Sequence, residues 1–258
     1  MTVRRMVVTG SSSGIGRALA LEAAVRGWDV VLVGRDHDRL NTVAANLPGT
    51  RHEILEADLS TSLGVDIVAS RLRDEALPCS GIINAAGLGT THPYPFGSLD
   101  DEKRMIRVNV DAVLALSQVA AEVFCPRGSG VIMNVSSTAA YWSAGTYAAS
   151  KAWVLAATQG LATQCKSSGV QVMALIPGFT RTQFHTQSKT DASGVRPWMW
   201  LTPEEVAREA FNDLELGRSV CIPGKRYRLL VGTVRHLPPA GRSRVLRWLA
   251  PLAPQSSE

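Results

Sequence analysis

The sequence lacks an apolar run long enough to cross a bilayer. Stretches such as Val30-Val31-Leu32-Val33 end after four or five residues, against the roughly 20 that a helical span needs. It has few cysteines: Cys79, Cys125, Cys165 and Cys221 are scattered without metal-type spacing, which predicts reduced, mostly buried thiols and neither a disulfide frame nor a zinc site. The five histidines, His37, His52, His92, His185 and His236, show no ligand spacing either, so no metal is expected. The start, Met1-Thr2-Val3-Arg4-Arg5, enters a strand-like Met6–Thr9 without the apolar stretch and small-residue cleavage site of a secretory signal, and a cytoplasmic protein is expected. Internal repeats, low-complexity tracts and a second domain are also missing. What is present is 258 residues, 45% of them hydrophobic, enough for a sizeable core and incompatible with a disordered chain.

The formal charge of +5 is unevenly distributed. Up to Glu215 there are 19 Lys and Arg against 21 Asp and Glu, whereas residues 216–258 hold eight basic residues and one acidic. A nucleic-acid enzyme would spread basic residues around its cleft, so no nucleic-acid partner is expected. The division that follows is a working domain over residues 1–224 and a basic tail over 225–258, packed on that domain or extending from it. In the tail, Arg242, Arg244 and Arg247 interleave with Val245, Leu246, Trp248 and Leu249 until Pro251 and Pro254 interrupt. Arg242 to Leu252 reads as a short amphipathic segment in weak contact with an anionic membrane surface, as a subunit interface, or as a cap on the domain.

From Val3 to about Val220, short β-branched runs alternate with helical stretches, the pattern of a parallel sheet covered on both faces. Strands are predicted at Met6–Thr9, Val30–Val33, Glu53–Glu56, Gly81–Asn84, Val131–Val135, Val170–Ile176 and Val220–Ile222. The fold class is therefore α/β: a Rossmann-type, doubly wound, seven-stranded parallel sheet with helices on both faces. Gly14 to Arg26 reads as a helix stopped by Gly27. A helix capped by Ser98, with acids in its first turn, should run past Asn109. A third, rich in alanine, spans Tyr147 to about Cys165, and Thr202-Pro203-Glu204-Glu205 is a strong helix start. The polar connection from Gln183 to Leu201 is a candidate binding loop.

The strongest local feature is Thr9-Gly10-Ser11-Ser12-Ser13-Gly14-Ile15-Gly16 between the first strand and the first helix. A dinucleotide pyrophosphate needs a turn that lets backbone N–H groups approach it, at a helix N-terminus that supplies positive partial charge. With this turn the chain resembles the compact single-domain branch of the short-chain dehydrogenase/reductase family. The likeness recurs at Asp58 after the third strand, at Asn84-Ala85-Ala86-Gly87 after the fourth, and at Pro177-Gly178 with Thr182 after the sixth, covering residues 3 to about 223. It implies cofactor contacts at Gly10, Ser12, Ser13, Gly14, Ile15, Gly16, Arg35, Asp58, Leu59, Asn84, Ala85, Gly87, Tyr147, Lys151, Pro177, Gly178, Thr180 and Thr182. At the end of the second strand Arg35 resembles the arginine that selects NADP by pairing with its 2′-phosphate. Asp36 follows at once, and Ser13 stands where many NADP-dependent relatives carry a basic residue. The alternatives are thus an Arg35 that selects NADP, which is favoured over NAD, and an Arg35 in water with Asp36 on the ribose.

Tyr147 and Lys151 lie four residues apart, on one face of the predicted helix. A nearby ammonium lowers the pKa of a phenol and equips it for proton exchange with an alcohol or carbonyl oxygen. The family resemblance makes Asn109, Ser137, Tyr147 and Lys151 the catalytic set. Ser137 polarises the substrate oxygen, Lys151 tunes Tyr147 and binds the nicotinamide ribose, and Asn109 bends its helix and holds a relay water. Ser137 precedes Tyr147 by 10 residues, three fewer than is usual in relatives, which leaves Ser136 open as the alternative. The implied activity is hydride transfer between NADPH and a ketone or aldehyde, or between an alcohol and NADP. The rival is a non-catalytic NADP-binding sensor or scaffold. Tyr141, Trp142, Trp198, Met199 and Trp200, with Leu88, Thr90 and His92, fall in loops on the substrate side. They either line the site for an apolar substrate or pack a lid. By analogy with relatives, a homodimer or homotetramer through the alanine-rich helix is expected.

Overall fold

The computed structural model describes residues 4–92, 94–142, 145–184, 194–238, 240–242 and 244–245. Side chains alternate between the two faces of a strand, and both faces here are apolar. In β1 (Arg5–Thr9), Met6 and Val8 enter one core layer and Val7 the other. In β2 (Asp29–Gly34), Val30 and Leu32 oppose Val31 and Val33 in the same way. With β3 (Glu53–Glu56), β4 (Gly81–Asn84), β5 (Gly130–Val135), β6 (Val170–Leu175) and β7 (Val220–Cys221) they form one sheet, parallel throughout, in the order β3-β2-β1-β4-β5-β6-β7. All seven predicted strands are present, with ends shifted by a residue at most.

The helices are α1 (Gly14–Val25), α2 (His37–Ala44), α3 (Ser62–Arg73), α4 (Leu99–Ile106), α5 (Ala112–Phe124), α6 (Gly145–Gln164), α7 (Pro203–Glu215) and α8 (Lys225–Val234). α1, α2, α7 and α8 bury apolar residues on one face of the sheet, and α3, α5 and the end of α6 on the other. β1 has β2 on one side and β4 on the other, so the chain reverses its winding there and opens a crevice at the carboxyl ends of the strands. Thr9 fastens that point: its Oγ1 accepts the N–H groups of Ala85 at 3.0 Å and Ala86 at 3.1 Å.

Polar joints beneath the crevice are buried and mutually satisfied. Asn84 Nδ2 donates to Asn134 Oδ1 at 2.8 Å and to Ser117 Oγ at 3.3 Å, and Asn134 Nδ2 donates to Thr158 Oγ1 at 3.1 Å, linking β4, β5, α5 and α6. Paired partners make such a network an asset, since unpaired ones would each cost a desolvation penalty.

The helix starts follow their sequence signals. Ser98 Oγ accepts the Asp100 and Asp101 N–H groups, and Thr202 and Glu205 close a reciprocal capping box on α7. Two features refine the expectation. The helix from Ser98 continues past Asn109 through a π-turn at Arg107–Asp111 that separates α4 from α5. The basic tail begins with α8, whose Tyr227, Val231 and Val234 are buried in the domain. Lys225, Arg226 and Arg228 mask that apolar stripe in the sequence. Of the Arg242–Leu252 segment, only Arg242, Arg244 and Val245 fall within the described residues. Arg242 donates to the carbonyls of Leu237 at 2.8 Å and Arg235 at 3.0 Å, and Val245 packs against the core. Among the described residues no helix is long and apolar enough to cross a membrane.

Replacing Thr202 with Ala removes the cap of α7 and should lower unfolding free energy by about 1 kcal/mol. Urea denaturation measures it, and an unchanged midpoint would contradict the role given to the box.

Candidate active site

The turn after β1 enters α1 at Ser13, whose side chain makes no capping bond, so the first N–H groups of α1 face the crevice without a side-chain acceptor from their own cap. Gly14 has φ +54°, a left-handed conformation that favours glycine. A Cβ on Gly16 would overlap the carbonyl oxygen of Gly10, so only glycine lets the helix begin this close to the turn. The cradle fits a phosphate-bearing cofactor, because oriented amides at a helix N-terminus favour anions. A cavity of about 720 Å³ lies over it, lined by Ser12, Ser13 and Gly14 below and by Arg17, Arg39 and Arg181 around.

At the end of β2 the structure places both residues of the two readings. Asp36 is the N-cap of α2: Oδ1 accepts the Arg39 N–H at 3.0 Å, and Oδ2 pairs with Arg39 Nε at 3.1 Å. Both oxygens thus bond within the first turn of α2. Arg35 is exposed and its charge reaches Asp58. Burial works to raise the Asp58 pKa, but the Ser60 backbone N–H and hydroxyl, with Arg35 and Arg104 behind them, hold the carboxyl below its ordinary value.

On the far side of the crevice, α6 presents Tyr147 and Lys151 one turn apart. Lys151 is only 4% exposed and its Nζ donates to the Val135 carbonyl at 3.0 Å. Burial pulls its pKa down to about 8. Gly87 adjoins it, since a Cβ there would stand 3.4 Å from Nζ and 3.5 Å from Asn109 Oδ1. The Ser137 hydroxyl accepts the Ala139 N–H at 3.1 Å and is near enough to the Tyr147 phenol to favour its ionised form. Ser136 is excluded from this position, because it is 2% exposed and its hydroxyl donates to the Lys151 carbonyl at 2.7 Å.

The other sequence-derived residues are placed as follows. Burial pushes the Tyr147 pKa up to about 12 against the influence of the Ser137 hydroxyl, where the sequence reading has Lys151 lower it. Its Nζ lies 5.9 Å from the ring centroid and is turned to Val135. Asn109 is fully buried in the π-turn: Oδ1 accepts the Leu88 N–H at 2.8 Å, and Nδ2 donates to the Leu88 carbonyl at 2.9 Å and to Ser150 Oγ at 3.2 Å. Both amide hydrogens brace neighbouring chain. Asn84 and Leu59, grouped with the cofactor contacts, point their side chains into the interior. Thr180 is also buried, bonded to the Gly178 carbonyl at 3.0 Å. Ala85, Gly87, Pro177, Gly178 and Thr182 follow β4 and β6 at the crevice edge, and Ile15 packs against the core.

The aromatic loop residues divide. Tyr141, Trp142, Met199 and Trp200 pack on the core, which favours the packing role, while Trp198 is half-exposed. Sequence reasoning missed Phe184, whose ring centroid lies 5.4 Å from that of Tyr147. It also missed Arg17, Arg39 and Arg181. Their signals were available, since Arg17 follows Gly16 and Arg39 lies in the first turn of α2. His185 and residues 186–193 of the predicted binding loop lie outside the described residues.

Residues 4–193 match the family described as short chain dehydrogenase. A very-long-chain 3-oxoacyl-CoA reductase of Anas platyrhynchos is 29% identical over 231 residues, covering 84% of this chain and 71% of the relative. A short-chain dehydrogenase from Sphingobium yanoikuyae, solved in complex with NADPH, superposes with a TM-score of 0.82 at 29% identity, covering 99% of this chain and 98% of that one. The bulky-bulky ketone specific alcohol dehydrogenase from Comamonas testosteroni gives a TM-score of 0.76 at 26% identity, with 93% and 97% covered.

The buried ammonium has a measurable cost. Its folded-state pKa of about 8 lies below the ordinary 10.5, so between those values the unfolded chain binds more protons and the lysine contribution to stability rises with pH. Lys151→Met should therefore be more stable than the wild type at pH 7, by up to about 3 kcal/mol, with the advantage shrinking from pH 8 to 10. Denaturation of both proteins across that range tests this, and a constant difference would refute it.

Proposed function

The chain belongs to the short-chain dehydrogenase family, oxidoreductases acting on CH–OH or C=O groups with a nicotinamide cofactor, and we propose that it is an NADP-dependent reductase of an apolar ketone or aldehyde. The observation that carries this reading is the placement of Tyr147 one turn before the buried Lys151 on α6, whose Nζ is fastened to Val135 at the carboxyl end of β5 where Ser137 follows. A protonated phenol is the form that donates. In this assignment Tyr147 gives its proton to the carbonyl oxygen, and Ser137 hydrogen-bonds the same oxygen as negative charge grows on it. Lys151 has three N–H donors. One is given to Val135, and the others serve the ribose hydroxyls. Asn109 fixes Leu88 on the substrate side. NADPH, when bound, supplies the hydride.

Arg35 beside Asp58, and Arg17, Arg39 and Arg181 around the cavity, support NADP over NAD. Guanidinium groups bond phosphate with charge-assisted strength, and Asp36, which would oppose a 2′-phosphate, is held by Arg39. Phe184 beside Tyr147 supports an apolar substrate. The ketone named for the Comamonas relative and the 3-oxoacyl thioester named for the duck relative are carbonyl compounds of that kind.

A panel of ketones and aldehydes, followed by NADPH and NADH absorbance, provides the test. With any substrate so found, Tyr147→Phe should lower turnover at least about 10²-fold while leaving NADPH affinity unchanged, and retained turnover would refute the assignment. Replacing Arg35 and Arg39 together with Ala should weaken NADPH binding at least about tenfold and leave NADH binding unchanged. Equal losses for both cofactors would refute the selection.

A further inference from the structure

Tyr227 in α8 is 1% exposed, and its hydroxyl joins two segments far apart in sequence. It accepts the Phe179 N–H at 2.9 Å and donates to the Met199 carbonyl at 2.8 Å. The same two segments are bonded to each other: Leu201 N–H donates to the Phe179 carbonyl at 2.8 Å, and Arg181 N–H to the Leu201 carbonyl at 2.9 Å. The Tyr227 ring lies on the backbone of Gly178, where a Cβ would overlap its Cζ and both Cε atoms. The chain that continues from this joint reaches the site twice. Thr182 Cγ2 lies 3.2 Å from where a Cβ of Gly14 would stand, and Phe184 packs beside Tyr147.

We propose that Tyr227 is a positioning residue for the cofactor: its ring and hydroxyl set the height of Phe179–Thr182 over the glycine turn, and residue 178 is glycine to admit that ring. The inference rests on the NADP reading above. It makes the segment after Val220 part of the working site, and it gives Gly178 a reason that does not involve ligand contact. An ordinary core tyrosine would matter for stability alone, whereas this one controls the wall of a binding crevice.

The test is direct titration of NADPH into the full chain, together with melting temperature and steady-state kinetics, for Y227F, G178A, Y227L and G178A/Y227L. Phenylalanine keeps the ring and loses both hydrogen bonds. Y227F should raise the NADPH Kd and KM about tenfold, with kcat at saturating NADPH changed less than about twofold and melting temperature lowered by roughly 5 °C, the protein remaining folded. G178A should weaken binding in the native background but add nothing to Y227L, because leucine vacates the space that the methyl group needs. Native affinity in Y227F would overturn the proposal, as would an equal loss from G178A in both backgrounds. A wild-type protein that bound neither NADPH nor NADP would overturn this inference and the NADP reading together, whereas normal wild-type binding with an unaffected Y227F would overturn this one alone.

Discussion

The attachment of one buried lysine to the end of one strand sets the geometry of the whole site. Lys151 meets β5 twice, with Nζ on the Val135 carbonyl and its own carbonyl on the Ser136 hydroxyl. Two bonds to consecutive residues fix both the height and the rotation of α6 against the sheet. Ser137 is the next residue along and Tyr147 is one helical turn before Lys151, so both residues are carried to the same end of β5. A cation in so dry a place is costly, which is why the surrounding residues are small or already paired: Gly87 leaves room, and the Asn109 amide is committed to Leu88 and Ser150.

The same logic explains how a 10-residue spacing between Ser137 and Tyr147 is accommodated. The serine is fixed by the strand end and the tyrosine by the lysine, so the intervening chain does not determine their meeting. It turns through a 3-10 helix at Thr138–Tyr141, begun by Ser137 itself. Opposite, the glycine turn is pinned through Thr9 to the chain after β4, and the chain after β6 is held by Tyr227. The crevice walls are thus fixed from the sheet, from α6 and from the C-terminal helix.

Strands and helix starts were legible because they obey short-range rules. Val30 to Val33 alternate between two apolar layers, and Thr202 and Glu205 cap a helix through neighbouring atoms. What escaped sequence reading depends on distant partners. A bend at Asn109 is implied by the family resemblance, but its form as a π-turn and its cause, Leu88 offering both backbone groups to the amide, depend on a partner 21 residues away. Tyr227 reads as one aromatic among basic residues until Gly178 is found beneath its ring. A spacing of four residues correctly put Tyr147 and Lys151 on one helix face, but burial, which spacing does not reveal, reversed the direction of the tyrosine's pKa shift. Of Ser136 and Ser137, both open in the sequence, the first gives its hydroxyl to the Lys151 carbonyl, a partner 15 residues away that local pattern does not reveal.

The most direct measurement is a crystal structure with NADP and a substrate or inert carbonyl analogue bound. The fixed position of Tyr147 predicts a carbonyl oxygen within about 3 Å of its hydroxyl and a carbonyl carbon within about 3.5 Å of the reactive nicotinamide carbon. A bound cofactor whose nicotinamide lay too far from residue 147 for one carbonyl group to bridge them would contradict it.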